Sequence, residues 1–144
     1  MAADTPAVSV VVPTRDRPEL LRRALTAILE QTYQGPIECV VVFDQSDPDL
    51  PWAALPAGRR LVLHRNQRTP GLAGARNSGI LAATGELVAF CDDDDEWLPE
   101  KLARQVARLL ATPSAPLTRF IQLLREQLRS APATRRAPIR ALPR

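Results

Sequence analysis

Four consecutive carboxylates, Asp92, Asp93, Asp94 and Asp95, follow directly on the apolar run Leu87-Val88-Ala89-Phe90-Cys91. A short unbroken apolar run reads as a strand buried on both faces, so the acids emerge where that strand stops. Side chains alternate along an extended chain, which predicts Asp92 and Asp94 on one side of it. Two carboxylates about 5 Å apart repel by roughly 3 kcal/mol at an effective dielectric near ~20. Such a cluster raises its own pKa values unless a positive charge sits among the acids. A hard divalent cation with oxygen ligands meets that need. The spacing excludes an EF-hand, because Trp97 stands where that loop needs glycine and Ala103 where it needs glutamate. Magnesium or manganese shared with a phosphate fits better than an EF-hand calcium, and is favoured here over a plain solvated acidic loop because the acids sit between a buried strand and an amphipathic helix.

These acids need a frame. Residues 8–12, VSVVV, read as a first strand ending at Pro13-Thr14, and residues 37–43 as a second that runs into Asp44. Between them Asp16 and Glu19 have the spacing of a capping box, with Pro18 in the first turn of a helix whose apolar face is Leu21, Leu25 and Ile28. Gly35-Pro36 ends it. Residues 48–60 are a Pro- and Ala-rich connection to a short strand at 61–63, and residues 71–83 form a glycine-loosened helix stopped by Thr84-Gly85. After the acids, Pro99 opens an amphipathic helix carrying Leu102, Val106, Leu109 and Leu110. The alternation predicts an α/β fold with an open, mostly parallel sheet and flanking helices. Ligands of such sheets bind outside the carboxyl ends of the strands, where Thr14, Asp44 and Asp92 to Asp95 all fall.

At 144 residues and 45% apolar, the chain holds one domain of ordinary size. The formal charge of +3 is unevenly spread: residues 1–111 carry 12 basic and 15 acidic groups, residues 112–144 carry 7 arginines and one acid, Glu126. The basicity belongs to the tail and is no argument for nucleic-acid binding by the patterned part. Domain boundaries are therefore expected at 1–111 and 112–144, the latter rich in Pro, Ala and Arg with an amphipathic helix at 117–130. That helix suits packing against the domain or a partner, or a peripheral membrane contact. Cys39 and Cys91 read as buried free thiols, and His64 as a surface residue rather than a base. No signal peptide or membrane span is evident, and cytoplasmic residence is the expectation.

Three segments taken together resemble family 2 glycosyltransferases of the GT-A fold, the nucleotide-diphospho-sugar transferase fold. They are Val10-Val11-Val12-Pro13-Thr14-Arg15-Asp16-Arg17-Pro18, then Gly71 through Gly79 with Ala75-Arg76-Asn77, then Gly85 through Pro99. The resemblance covers roughly residues 7 to 110. It implies inverting transfer of a sugar from a nucleotide diphosphate, usually uridine-linked, to an acceptor hydroxyl. By resemblance Asp92-Asp93-Asp94 occupies the DXD triplet that holds Mn2+ or Mg2+ against the donor diphosphate. Asp94 is then the direct metal ligand, joined by Asp92, which also contacts the ribose or sugar, with Asp93 on the donor and Asp95 supporting the shell. Thr14 and Asp44 match positions that contact base and ribose, and Arg76 reaches the diphosphate.

The family's general base and acceptor pocket lie well downstream of the triplet, and residues 112–144 offer only Glu126. The expectation is therefore a truncated donor-binding part that binds a nucleotide sugar without completing transfer, with the apolar edge of the strand at 86–91 exposed. Two alternatives stay open: a truncated or frameshifted fragment that at most binds UDP, and a nucleotidyltransferase. The lack of a glycine- and lysine-rich phosphate loop after the first strand counts against the latter.

Overall fold

Residues 5–111 are described by a computed structural model of the chain. β1 (Val8–Thr14) and β2 (Ile37–Phe43) are buried at every position. That explains their unbroken apolar sequences, which a sheet with one wet face would interrupt. β3 (Arg59–Arg65) and β4 (Leu87–Phe90) flank them in the order β3-β2-β1-β4, and every pair is parallel. β3 exceeds the expected residues 61–63 because β2 offers it ladder partners from Ile37 to Phe43. His64 accordingly lies within β3, half-buried, rather than after a strand. Among the described strands β4 pairs with β1 alone, and its Val88, Ala89 and Phe90 are half-buried.

Helices cover both faces of the sheet. α1 (Pro18–Leu29) and α3 (Lys101–Leu110) place Leu21, Leu25, Ile28, Leu102 and Val106 against Val10, Val12, Cys39 and Val41. α2 (Leu72–Ala82) covers the other face, with Ala75 against Val11, Val40 and Val42. The alternation of Val10, Val11 and Val12 between these two clusters is the period of two of a strand with core on both sides. Each such Leu or Ile removed from water contributes about 1.5–3 kcal/mol.

Two helix starts differ from expectation. Pro18 occupies the first turn of α1, so the cap position falls on Arg17; no side chain caps the helix, and Asp16 lies outside it with φ +52°. Pro99 sits in the turn before α3, whose cap residue is Glu100. Its first turn is satisfied instead from α1's end: Gln31 Oε1 accepts the Leu102 N–H at 3.0 Å, while Gln31 Nε2 donates to the Leu98 carbonyl at 2.7 Å. Arg59 holds the α1–β2 turn by donating to the carbonyls of Leu29, Gln31, Tyr33 and Gly35. The domain boundary expected at 111 and the helix expected at 117–130 belong to residues 112–144, outside the described residues.

At the amino ends of the strands lies a buried carboxylate. Glu38 on β2 accepts from the Ser9 hydroxyl at 2.6 Å, the Thr84 N–H at 2.9 Å and the Thr84 hydroxyl at 3.0 Å. Burial alone would raise its pKa, but these donors and Arg60 outweigh it and hold the carboxyl below the ordinary 4.5. A depressed carboxylate contributes stability above its unfolded pKa and loses it as pH falls through the folded one. Glu38→Gln is thus expected to cost about 1.5–3 kcal/mol at pH 7, the range for hydrogen bonds to a charged group. The gap to the wild type should close as the pH is lowered from about 4.5. Urea unfolding of both proteins across that range checks it, and a gap independent of pH would contradict the charge's role.

Candidate functional site

Past Phe90 the chain stops being a strand. The last ladder bond runs from the Cys91 N–H to the Val11 carbonyl at 3.1 Å, and Asp95 N–H then donates to the Asp92 carbonyl at 3.1 Å, closing a turn. The expected extended alternation of Asp92 and Asp94 is replaced by this turn, because β4's pairing with β1 ends while β1 runs on to Thr14. Carboxylate oxygens of Asp92, Asp94 and Asp95 lie within 4.8 Å of one another. Asp93 departs from them: it is 7% exposed and accepts the Thr14 hydroxyl at 2.9 Å.

Two arginines face the acids. Arg76 on α2 reaches Asp92 at 3.1 Å, with its guanidinium 6.0 Å from the Phe90 ring centre. Its Nε is buried with no hydrogen-bond partner among the described residues. Arg17 lies 3.5 Å from Asp93 and 3.4 Å from Asp94. Partly exposed pairs of this kind contribute at most about 1 kcal/mol each. They relieve the repulsion within the cluster only in part.

Asp44, at the end of β2, joins the same strand ends: its N–H donates to the Thr14 carbonyl at 2.9 Å. Its carboxylate is engaged by protein donors, Asn66 Nδ2 at 2.9 Å, the Gly71 N–H at 3.0 Å and Gln45 Nε2 at 3.2 Å. Burial pushes its pKa up, but these bonds, aided by Arg15, carry it below 3.8, so the group is ionised at neutral pH. Asn66 is itself fixed, its Oδ1 accepting from the Ser78 hydroxyl at 2.8 Å and the Arg68 N–H at 2.9 Å.

Thr14, Asp44, Arg76 and Asp92 to Asp95 are thus linked through direct contacts at the carboxyl ends of parallel strands. The sequence reading missed Arg17, Gln31 and Asn66. Only Arg17 had a legible signal, since a proline after it fixes the helix start and frees its side chain toward the strand ends. Cys39 and Cys91 are free and buried, burial being the first cause that pushes each thiol up to about 12. Among the described residues the acids are the one group of three or more His, Cys, Asp or Glu side chains placed so that they could hold a metal ion.

Residues 9–130 match the family model for Glycosyl transferase family 2. The chain belongs to glycosyl transferase family 2. Over 104 residues it is 32% identical to the Escherichia coli UDP-Glc:alpha-D-GlcNAc-diphosphoundecaprenol beta-1,3-glucosyltransferase WfgD, covering 72% of this chain and 41% of that protein. A second E. coli enzyme with the same activity in its description, WfaP, is 30% identical over 101 residues, covering 69% of this chain and 39% of the relative. The chain therefore spans about two fifths of the length of these curated relatives.

Among solved structures, the mannosyltransferase PcManGT from Pyrobaculum calidifontis in complex with GDP-Man and Mn2+ aligns with TM-score 0.63 at 32% identity, over 78% of this chain and 34% of that one. S. aureus TarS 1-349 in complex with UDP aligns with TM-score 0.56 at 26% identity, over 69% of this chain and 31% of that one. The parallel four-stranded sheet of this family 2 chain is that of GT-A glycosyltransferases. Its donor set of three carboxylates, free of soft ligands, fits a hard divalent ion. Among the described residues no helix is long and apolar enough to cross a membrane.

Proposed function

We propose that this chain is the donor-binding part of an inverting glycosyltransferase that takes a nucleotide-diphospho-sugar, with uridine as its nucleoside, and passes the sugar to an acceptor hydroxyl. The observation that carries the reading is the convergence of the Asp92, Asp94 and Asp95 oxygens within 4.8 Å at the strand ends. Asp94 and Asp92 hold Mn2+ or Mg2+, with Asp95 beside them. When bound, the ion supplies Lewis acidity against the charge on the leaving diphosphate. Arg76, whose guanidinium already reaches Asp92 at 3.1 Å, gives the diphosphate charge-assisted donors. Asp44 is ionised and buried; its Oδ2 already accepts from the Gly71 N–H and Gln45, while its Oδ1 accepts only from Asn66 and keeps a lone pair for the imide N–H of uracil.

The glucosyltransferase relatives, whose names specify UDP-Glc, support uridine. The mannosyltransferase with GDP-Man and Mn2+ supports a divalent ion and makes guanosine the competitor to test. Calorimetric titration of UDP and GDP with and without manganese separates these outcomes. UDP is expected to bind at least about tenfold more tightly with the metal, a gain of ~1.4 kcal/mol, and more tightly than GDP. Equal UDP affinity in both conditions would refute the metal site, and a preference for GDP would refute the base assignment.

A further inference from the structure

We propose that Asp93 is a positioning residue that, through Thr14, sets the arrangement of the three carboxylates around it, rather than a contact to the donor. The proposal rests on the metal reading given above. Asp93 sits between Asp92 and Asp94 in a turn closed by the Asp95 N–H to Asp92 carbonyl bond. Its carboxylate is not among the three that converge: it is buried, one oxygen accepts the Thr14 hydroxyl at 2.9 Å, and the other lies 3.5 Å from Arg17, which also approaches Asp94 at 3.4 Å. Both partners are buried, Thr14 at 5% and Asp93 at 7% exposure, whereas Asp94 and Asp95 are exposed.

The two elements so joined differ in how firmly they are held. β1 is seven residues long, buried throughout and paired on both sides. β4 is four residues long and pairs with β1 alone among the described strands. The turn that carries the acids hangs from the weaker strand, and the bond from Thr14 ties it to the stronger one. Turning the Asp93 side chain outward would rotate the backbone on either side of it and separate Asp92 from Asp94. Partners of this kind, one step behind the metal ligands, typically change metal affinity 10- to 100-fold.

The bond also restricts Thr14. A hydroxyl has one proton and two acceptor sites. With the proton given to Asp93, Thr14 can only accept from a ligand. A ribose hydroxyl or a base N–H can use it in that way, while a phosphate oxygen cannot.

The test measures the manganese concentration that half-saturates UDP binding, for the wild type and for Thr14→Val, Thr14→Ser, Asp93→Ala and the Thr14→Val/Asp93→Ala double variant. Thermal melts show which variants are folded. Thr14→Val and Asp93→Ala are each expected to raise that concentration about 10- to 100-fold. Thr14→Ser, which keeps the hydroxyl, should stay within about threefold of the wild type, and the double variant should be no weaker than Asp93→Ala, because both changes break one bond. A folded Thr14→Val or Asp93→Ala with wild-type manganese dependence overturns the proposal, as does full additivity in the double variant. A wild type whose UDP binding ignores manganese overturns the metal reading and the proposal with it, so the wild-type titration distinguishes the two failures.

Discussion

Asp94→Ala is expected to bring UDP affinity in the presence of manganese down to its value without the metal, a loss of at least about tenfold or ~1.4 kcal/mol. The magnitude follows from what Asp94 does and does not support. Its side chain is 51% exposed, and its resolved contact is the 3.4 Å approach of Arg17, itself 51% exposed. Exposed ion pairs of that sort contribute little to folding, so the variant should melt within about 1 kcal/mol of the wild type. Removing a charged oxygen from a set of three, by contrast, takes away a direct ligand and a third of the negative charge that draws the ion in. Glu96→Ala is the control: the residue is also exposed and one position beyond the cluster, yet it is not among the converging acids. Calorimetry with UDP at saturating manganese should leave Glu96→Ala near wild type. A similar loss in both variants would mean that the region acts through its overall charge and not through a defined ligand set.

The parts of this molecule legible in its sequence are those set by local pattern. β1 and β2 are valine-rich runs because both of their faces are covered, and their ends fix where Thr14 and Asp44 must lie. The glycine-loosened helix around Arg76 was equally plain, bounded by Gly71 and by Thr84-Gly85. What escaped depends on partners far along the chain. Gln31 caps α3 across 71 residues, a bond that no pattern around Gln31 announces. Glu38 looks like a polar interruption of an apolar strand until Ser9 and Thr84 arrive to satisfy it. The acidic run was legible as a charge problem, but not its resolution. Alternation assumed an extended chain, whereas the end of β4's pairing allowed a turn that sends Asp93 inward and gathers its neighbours. The capping box at Asp16 failed for a local reason, since Pro18 moved the helix start one residue past it.

Gly74→Ala pits two effects against each other, and their magnitudes decide the sign. Within α2 an alanine is worth about 1 kcal/mol more than glycine. A methyl group at position 74 would, however, overlap the carbonyl oxygen of Thr69 and press on that residue's backbone. Backbone cannot swing aside as a side chain does, so the cost sits at or above the upper end of the ~1–3 kcal/mol found for overpacking. The net expectation is a loss of about 2 kcal/mol, from these two ranges.

The displaced carbonyl also carries the effect to the site. Thr69 O accepts from Asn66 Nδ2 at 3.0 Å, the same nitrogen that donates to Asp44 at 2.9 Å, and the Gly71 N–H holds the other Asp44 oxygen. Moving this loop loosens Asp44, so UDP affinity should fall about tenfold, the weight of one hydrogen bond to a charged group. Gly79→Ala separates packing from site geometry. Its added methyl would meet the side chains of Val11 and Val42 on the sheet beneath α2 and not the Thr69 backbone that Asn66 bonds, so stability should drop while the folded protein keeps its UDP affinity. Thermal melts and UDP titrations of the two variants read both quantities. A Gly74→Ala protein that melts higher than wild type would show that helix propensity wins and that the loop holding Asp44 does not depend on this close approach.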